Sequence, residues 1–191
     1  MPFMPEDSES PKDAYRELLE QALEKARFKN DAGEEAKILL DLGYWHEDAL
    51  DYENAVEHFE AGLKHLKATK QYAVSLPAMF HLAQLYRLKK KDAAAFTLYT
   101  DIIEFAEKIW DKQALGIGLA LKGQILLDER AYENGLEFMF RGLETLEEAK
   151  LKESIQVKNE ILSYRRQIPR PIFDLALTRS KVPQRIKDLL R

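Results

Sequence analysis

The stretch LGYWHEDALDYENAVEHFEAGL, Leu42 to Leu63, has two counterparts in register along the chain. Forty residues later stands LAQLYRLKKKDAAAFTLYTDII, Leu82 to Ile103, and forty beyond that KGQILLDERAYENGLEFMFRGL, Lys122 to Leu143. A small residue recurs as Gly43, Ala83 and Gly123, and a second as Ala55, Ala95 and Gly135. A bulky residue follows four places later as Phe59, Tyr99 and Met139. Self-similarity at a fixed period of this size marks a repeat architecture, in which one supersecondary unit stacks on the next.

Each unit reads as two helices joined by a short turn. Packed helices lie about 8–10 Å apart, so small residues such as Gly43 and Ala55 are needed where the backbones approach. Phe59 then fills the space between neighbouring hairpins. The turn falls at Leu50-Asp51-Tyr52, where the Asp51 carboxylate can cap the second helix. The spacing predicts hairpins over about 32–68, 72–108 and 112–148, flanked by helices over 11–28 and 151–167.

A Leu-Gly pair on the first helix, a turn with Asp-Tyr, then Ala and an aromatic four apart resembles the tetratricopeptide repeat (TPR). The usual unit has about 34 residues, so this chain is similar to longer variants of about 40. The pattern departs at Lys122, where an apolar residue is expected, and at Asp92, where the turn Tyr is missing. The resemblance implies an all-α fold, a right-handed α-solenoid of helix–turn–helix repeats over residues 10–168. It says almost nothing about the ligand, because functional sites are grafted onto such scaffolds.

The flanks read as follows. Residues 1–9, with Pro2 and Pro5 among acidic residues, are expected to be disordered. Ser10, Pro11 and Asp13 form a helix start with a capping box, and Tyr15, Leu18, Leu19, Ala22, Leu23 and Ala26 form an apolar stripe. Asp31 and Glu34 form a second capping box. Pro77 either begins its helix after Ser75 or kinks the first turns, and both readings stay open. Pro169-Arg170-Pro171 ends the repeats, and residues 169–191 form a basic tail with two short amphipathic segments.

Composition bounds the function. Of the 191 residues 46% are hydrophobic, enough for a core, and 32% are charged, as suits exposed helices. There is no cysteine, which excludes disulfides and thiolate metal sites. The acidic start carries no apolar run of the signal-peptide kind, and no apolar stretch is long enough to span a membrane, so a cytoplasmic location is expected. Residues 1–60 hold 17 acidic against 6 basic residues, while 165–191 hold 8 basic against 2 acidic. The net charges, −11 and +6, suggest that the tail meets a partner, in its own chain or another. A tail docked along the acidic half, with Glu47 and Asp48 taking an arginine, Phe80 taking Ile172 or Phe173, and Leu175 buried, is one expectation. A cap over the C-terminal end is the other.

No phosphate loop, nucleophile elbow or metalloprotease motif is present, so no enzyme, cofactor or metal site is expected. His58 and His65 lie seven apart without a third ligand at that spacing. Binding is the better reading. In TPR proteins the first helices line a groove. In phase, that face offers Lys37, Leu40, Tyr44, Glu47 and Asp48, then Phe80, Gln84 and Arg87, then Ala120, Gln124, Leu127 and Asp128. Tyr44, Gln84 and Gln124 form a polar ladder suited to a peptide backbone. Without the family's Asn pair, capture of a C-terminal carboxylate is not implied. Glu47 and Asp48 sit where negative charge opposes the helix dipole, which marks them as candidates for holding a basic group. The expected function is therefore a protein-interaction module: an adaptor, assembly factor or regulatory subunit. The alternatives are nucleic-acid binding through the tail and a self-assembling scaffold, the latter with homo-oligomers formed through the tail or solenoid ends.

Overall fold

The computed structural model describes residues 11–191, all-α throughout, with ten helices and no strand among them. The fold class is an α-solenoid of helix–turn–helix repeats. In order the helices are α1 (Pro11–Phe28), α2 (Ala32–Asp48), α3 (Tyr52–Ala68), α4 (Tyr72–Leu88) and α5 (Asp92–Ile109). There follow α6 (Lys112–Asp128), α7 (Tyr132–Glu148), α8 (Glu153–Gln167), α9 (Arg170–Arg179) and α10 (Gln184–Leu190). The expected disorder of residues 1–9 and the capping role of Ser10 lie outside the described residues.

The sequence period of 40 resolves into a structural period of 20. Asn30, Leu50, Lys70, Lys90, Trp110, Arg130 and Lys150 all have positive φ, between 53° and 64°. Each follows a helix and reverses the chain in the same way. At Leu50, its own N–H donates to the Glu47 carbonyl and that of Asp51 to the His46 carbonyl, at 2.9 Å each. These two bonds are the Schellman pattern, which satisfies the carbonyls a helix end leaves open. Glycine usually occupies that left-handed position, yet none of the seven is glycine. The following helix is then started by a carboxylate in three cases: Asp31 accepts from the Glu34 N–H, Asp51 from Asn54 and Asp111 from Ala114.

The chain divides into two compact units, Met1–Ala78 and Met79–Arg191, with the division one residue after Pro77 inside α4. The helix begins at Tyr72 and passes through the proline, which removes one backbone donor. Nearby, the Ser75 hydroxyl donates to the Gln71 carbonyl at 2.8 Å.

In the first unit Leu19, Leu23 and Ala26 of α1 pack on Ile38, Leu39 and Leu42 of α2. Ala22 packs beside this core, whereas the first two residues of the α1 stripe depart from expectation. Tyr15 and Leu18 are exposed, because α2 covers only the Leu19–Leu23–Ala26 side. Between α2 and α3 a methyl placed on Gly43 would come within 2.7 Å of the Phe59 ring. Phe59 therefore packs inside its own hairpin, against Gly43 and Tyr44, rather than between neighbouring hairpins as expected from the sequence. Gly62 lies equally close to Leu40 and to the Ala36 carbonyl.

In the second unit α6 and α7 meet through glycines on both sides. A methyl on Gly123 would lie 2.6 Å from the Gly135 carbonyl oxygen, and one on Gly142 would lie 2.6 Å from that of Gly116. Lys122, where Leu42 and Leu82 stand in the other copies, is also buried. Its ammonium sits 4.6 Å from the Phe96 ring centre and 4.9 Å from that of Phe138, and donates to Thr100 Oγ1 at 2.9 Å. Burial, then the Arg141 charge, holds its pKa below the ordinary lysine value. A cation between two aromatic faces replaces the expected apolar contact.

The tail is an end cap, which corrects the expectation that its apolar residues engage Phe80. Phe173 is fully buried with its ring edge-on to Phe140, centroids 5.9 Å apart. Ile186 and Leu190 join the same core, with Val157 and Ile161 of α8 and Leu136 and Leu143 of α7. Ile172 packs against that core too, whereas Leu175 stays exposed. The tail's charges are also spent locally. Arg165 lies over the Phe173 ring and donates to the Leu190 and Arg191 carbonyls, while Arg185 pairs with Glu148 and Arg179 with Glu133. The apolar cost of leaving these faces in water exceeds what surface ion pairs could return elsewhere.

Candidate functional site

Both units present side chains from the first helices of their hairpins. In the second unit these helices are α4 and α6, followed by α8. Arg87 of α4 donates to Gln124 Oε1 at 3.3 Å and to Asp128 Oδ2 at 2.6 Å, both on α6. Gln124 passes the chain onward, donating to Glu160 of α8 at 2.5 Å. The Tyr164 hydroxyl donates to the second oxygen of Asp128 at 3.1 Å. Arg87 also lies 3.7 Å from Asp92. Three helices are thereby tied along one polar row. Burial, then the Asp128 charge, pushes the Tyr164 phenol up to about 12.

Of the expected groove residues in this unit, Arg87, Gln124 and Asp128 come together in that row. Gln84 is exposed, and Phe80 is half-buried with its ring 6.5 Å from Tyr99. The Tyr99 hydroxyl is buried without a hydrogen-bond partner among the described residues, and burial, opposed by Arg87, pushes it up to about 12. Ala120 and Leu127 belong to the hairpin core and face no groove. Sequence reasoning missed Glu160 and Tyr164. The signal was present, since Tyr164 stands 40 residues after Gln124 and 120 after Tyr44.

In the first unit the same register leads to a pocket of about 350 Å³ between α1 and α2. Lys12 and Tyr15 line it from one side, and Asp41, Tyr44, Trp45, Asp48 and Ala49 from the other. Its wall is fixed from behind. The Trp45 indole N–H donates to the Lys12 carbonyl at 3.0 Å, and the Arg16 guanidinium lies 5.4 Å from the Trp45 ring centre. Tyr44 stands edge-on to Phe59 with centroids 4.9 Å apart. Burial, then Asp41 and Glu47, pushes the Tyr44 phenol up to about 12. Burial, then Glu34, also raises Asp41 above the ordinary aspartate value. Thus Tyr44 and Asp48 line the pocket, Glu47 acts on Tyr44, and Lys37 sits exposed 3.9 Å from Glu34. Leu40 is buried in the hairpin.

The histidines pair across a hairpin. His46 stacks on His58, its Nδ1 is 3.1 Å from Asp51 Oδ2, and His58 Nδ1 is 2.8 Å from the Asn54 carbonyl. Among the described residues no helix is long and apolar enough to cross a membrane.

No protein-family model matches the sequence, and no curated protein resembles it significantly. Solved structures do resemble the fold. The apo form of RapI matches 88% of this chain with a TM-score of 0.75 at 12% identity, and the chain spans 61% of RapI. BtubC (BKLC) from P. vanneervenii matches 96% of the chain with a TM-score of 0.65 at 13% identity, over 74% of BtubC. At such identities the likeness is one of architecture. The chain shares a helical-repeat fold with these two proteins.

Proposed function

We propose that this protein is a TPR-type interaction module that binds a segment of a partner protein along its first-helix faces. Its work in the cytoplasm would be that of an adaptor, assembly factor or regulatory subunit. The observation that carries the reading is the polar row of the second unit. Arg87, Gln124, Asp128, Glu160 and Tyr164 hold three helices in one orientation, and the amides and carboxylates at its surface suit an extended backbone. The helical-repeat likeness supports a protein partner at the level of fold alone. The basic tail is a poorer basis for nucleic-acid binding, because Arg165, Arg179 and Arg185 are engaged within the chain.

The test is affinity capture with the parent and a Lys37→Ala, Gln84→Ala, Gln124→Ala variant, none of which lines the α1–α2 pocket. The expected result is one partner lost by the variant at unchanged helicity. Identical capture by both proteins would contradict the reading.

A further inference from the structure

We propose that the pocket between α1 and α2 is a receptor for an arginine side chain of the partner protein, held between the Asp48 carboxylate and the aromatic wall of Tyr15, Tyr44 and Trp45. This deepens the proposed function and rests on it. Two arrangements, one in the second unit and one at the pocket's own wall, display the recognition chemistry.

The first is Asp128. It stands 80 residues after Asp48, two repeats on, in the same register at the end of a first helix. Asp128 accepts from the Arg87 guanidinium at 2.6 Å and from the Tyr164 hydroxyl at 3.1 Å. The Asp48 and Asp41 side chains carry no ion pair or hydrogen bond among the described residues. Arg87 reaches Asp128 from α4, two helices before α6. A guanidinium entering the pocket would give Asp48 what Arg87 gives Asp128. A planar fork donating to a carboxylate is the strong form of such a contact.

The second is Arg16. Its guanidinium already lies over the Trp45 ring, 5.4 Å from the centre, so one face of this indole accepts a cation. The pocket offers the neighbouring aromatic surface, including Tyr15, whose ring is half exposed. Among the described residues of the lining, Lys12 is the one cation beside two carboxylates. Asp41 lies exposed at the pocket's edge, with its carboxyl held above the ordinary aspartate value by desolvation and then the Glu34 charge, a shift an incoming cation would oppose. The volume, about 350 Å³, accommodates one long side chain and the adjoining backbone.

The experiment follows the Trp45 indole N–H of the full chain by heteronuclear NMR, with the exposed Trp110 indole as internal reference. The probes are a capped pentapeptide with a central arginine between alanines and glycines, and the same peptide with citrulline, which keeps the shape and removes the charge. The expected result is a saturable shift of Trp45, with binding about tenfold weaker for citrulline and about tenfold weaker in Asp48→Asn and Asp41→Asn, all at the parent's melting temperature. Equal binding of citrulline would make the pocket an apolar one and overturn the proposal. An unmoved Trp45 resonance at about 10 mM peptide, or full binding by both variants, would overturn it as well. If Asp48→Asn still captures the partner while Trp45 ignores arginine, the inference falls and the proposed function stands. If Trp45 binds arginine and no partner is lost by the triple variant, the reverse holds.

Discussion

Gly123→Ala isolates the feature on which the repeat depends, the close approach of two helix backbones. The added methyl would lie 2.6 Å from the Gly135 carbonyl oxygen, 2.7 Å from Met139 Cγ and 3.0 Å from the Met139 N. Two of these three atoms are backbone in the facing helix, so no side-chain rotation relieves the clash. Met139 is itself fully buried. Overpacking of this kind costs about 1–3 kcal/mol, and the rigid neighbours place it at the upper end. Alanine returns about 1 kcal/mol of helix propensity, which leaves a net loss of about 2 kcal/mol. For a chain of this size that is a fall of about 4–8 °C in Tm. Gly33→Ala is the control, because the nearest atom to its added methyl, Asp31 Oδ1, is 3.6 Å away. It should melt at or slightly above the parent. Thermal unfolding followed by far-ultraviolet circular dichroism measures both. Gly123→Ala melting at or above the parent would refute the argument that α6 and α7 touch through their backbones.

Three further outcomes are expected. Leu50→Gly and Trp110→Gly should each raise stability by about 1 kcal/mol, since both hold left-handed conformations that disfavour a side chain and both are exposed; a chemical denaturation midpoint reads the effect. Phe173→Ala should cost about 3–5 kcal/mol by opening a cavity under the tail, and should expose dye-binding apolar surface on α7. Asp51 is held below the ordinary aspartate value of 3.8, chiefly by the Asn54 side chain, so its contribution is present above that value and lost as pH falls through the lowered one. The acid limb of a Tm-against-pH curve should therefore be shallower for Asp51→Asn than for the parent.

The all-α repeat class is legible in the sequence because packing dictates it. A small residue where helices meet and a bulky one four places on must recur with the hairpin, and Gly43 against Phe59 shows why. The turns are less legible. Of the seven left-handed positions only Asn30 has a residue that favours that conformation, and the other six obey the backbone pattern imposed by their neighbours. Periodicity also cannot say which part of a stripe is covered, so Tyr15 and Leu18 look like Leu19 and Leu23 until α2 is placed. Lys122 reads as a defect because its partners, Phe96 and Phe138, come from two other helices. The tail's charge suggested a distant acidic surface, whereas its apolar residues had a nearer one in the open side of α7 and α8. In the candidate site, the register of Tyr44, Gln84 and Gln124 is visible from the period. The Arg87–Asp128 bond, and the lack of a counterpart at Asp48 among the described residues, depends on side-chain reach that a period does not encode.

Site-specific photo-crosslinking reads out directly whether the first-helix faces engage a partner protein. A photoreactive amino acid is placed at Gln84 on α4 or at Thr97 on α5, both exposed, and the chain is irradiated with its captured partner. Crosslinks from position 84 with few from position 97 are the predicted result. Equal crosslinking from both positions, or crosslinking from 97 alone, would contradict it.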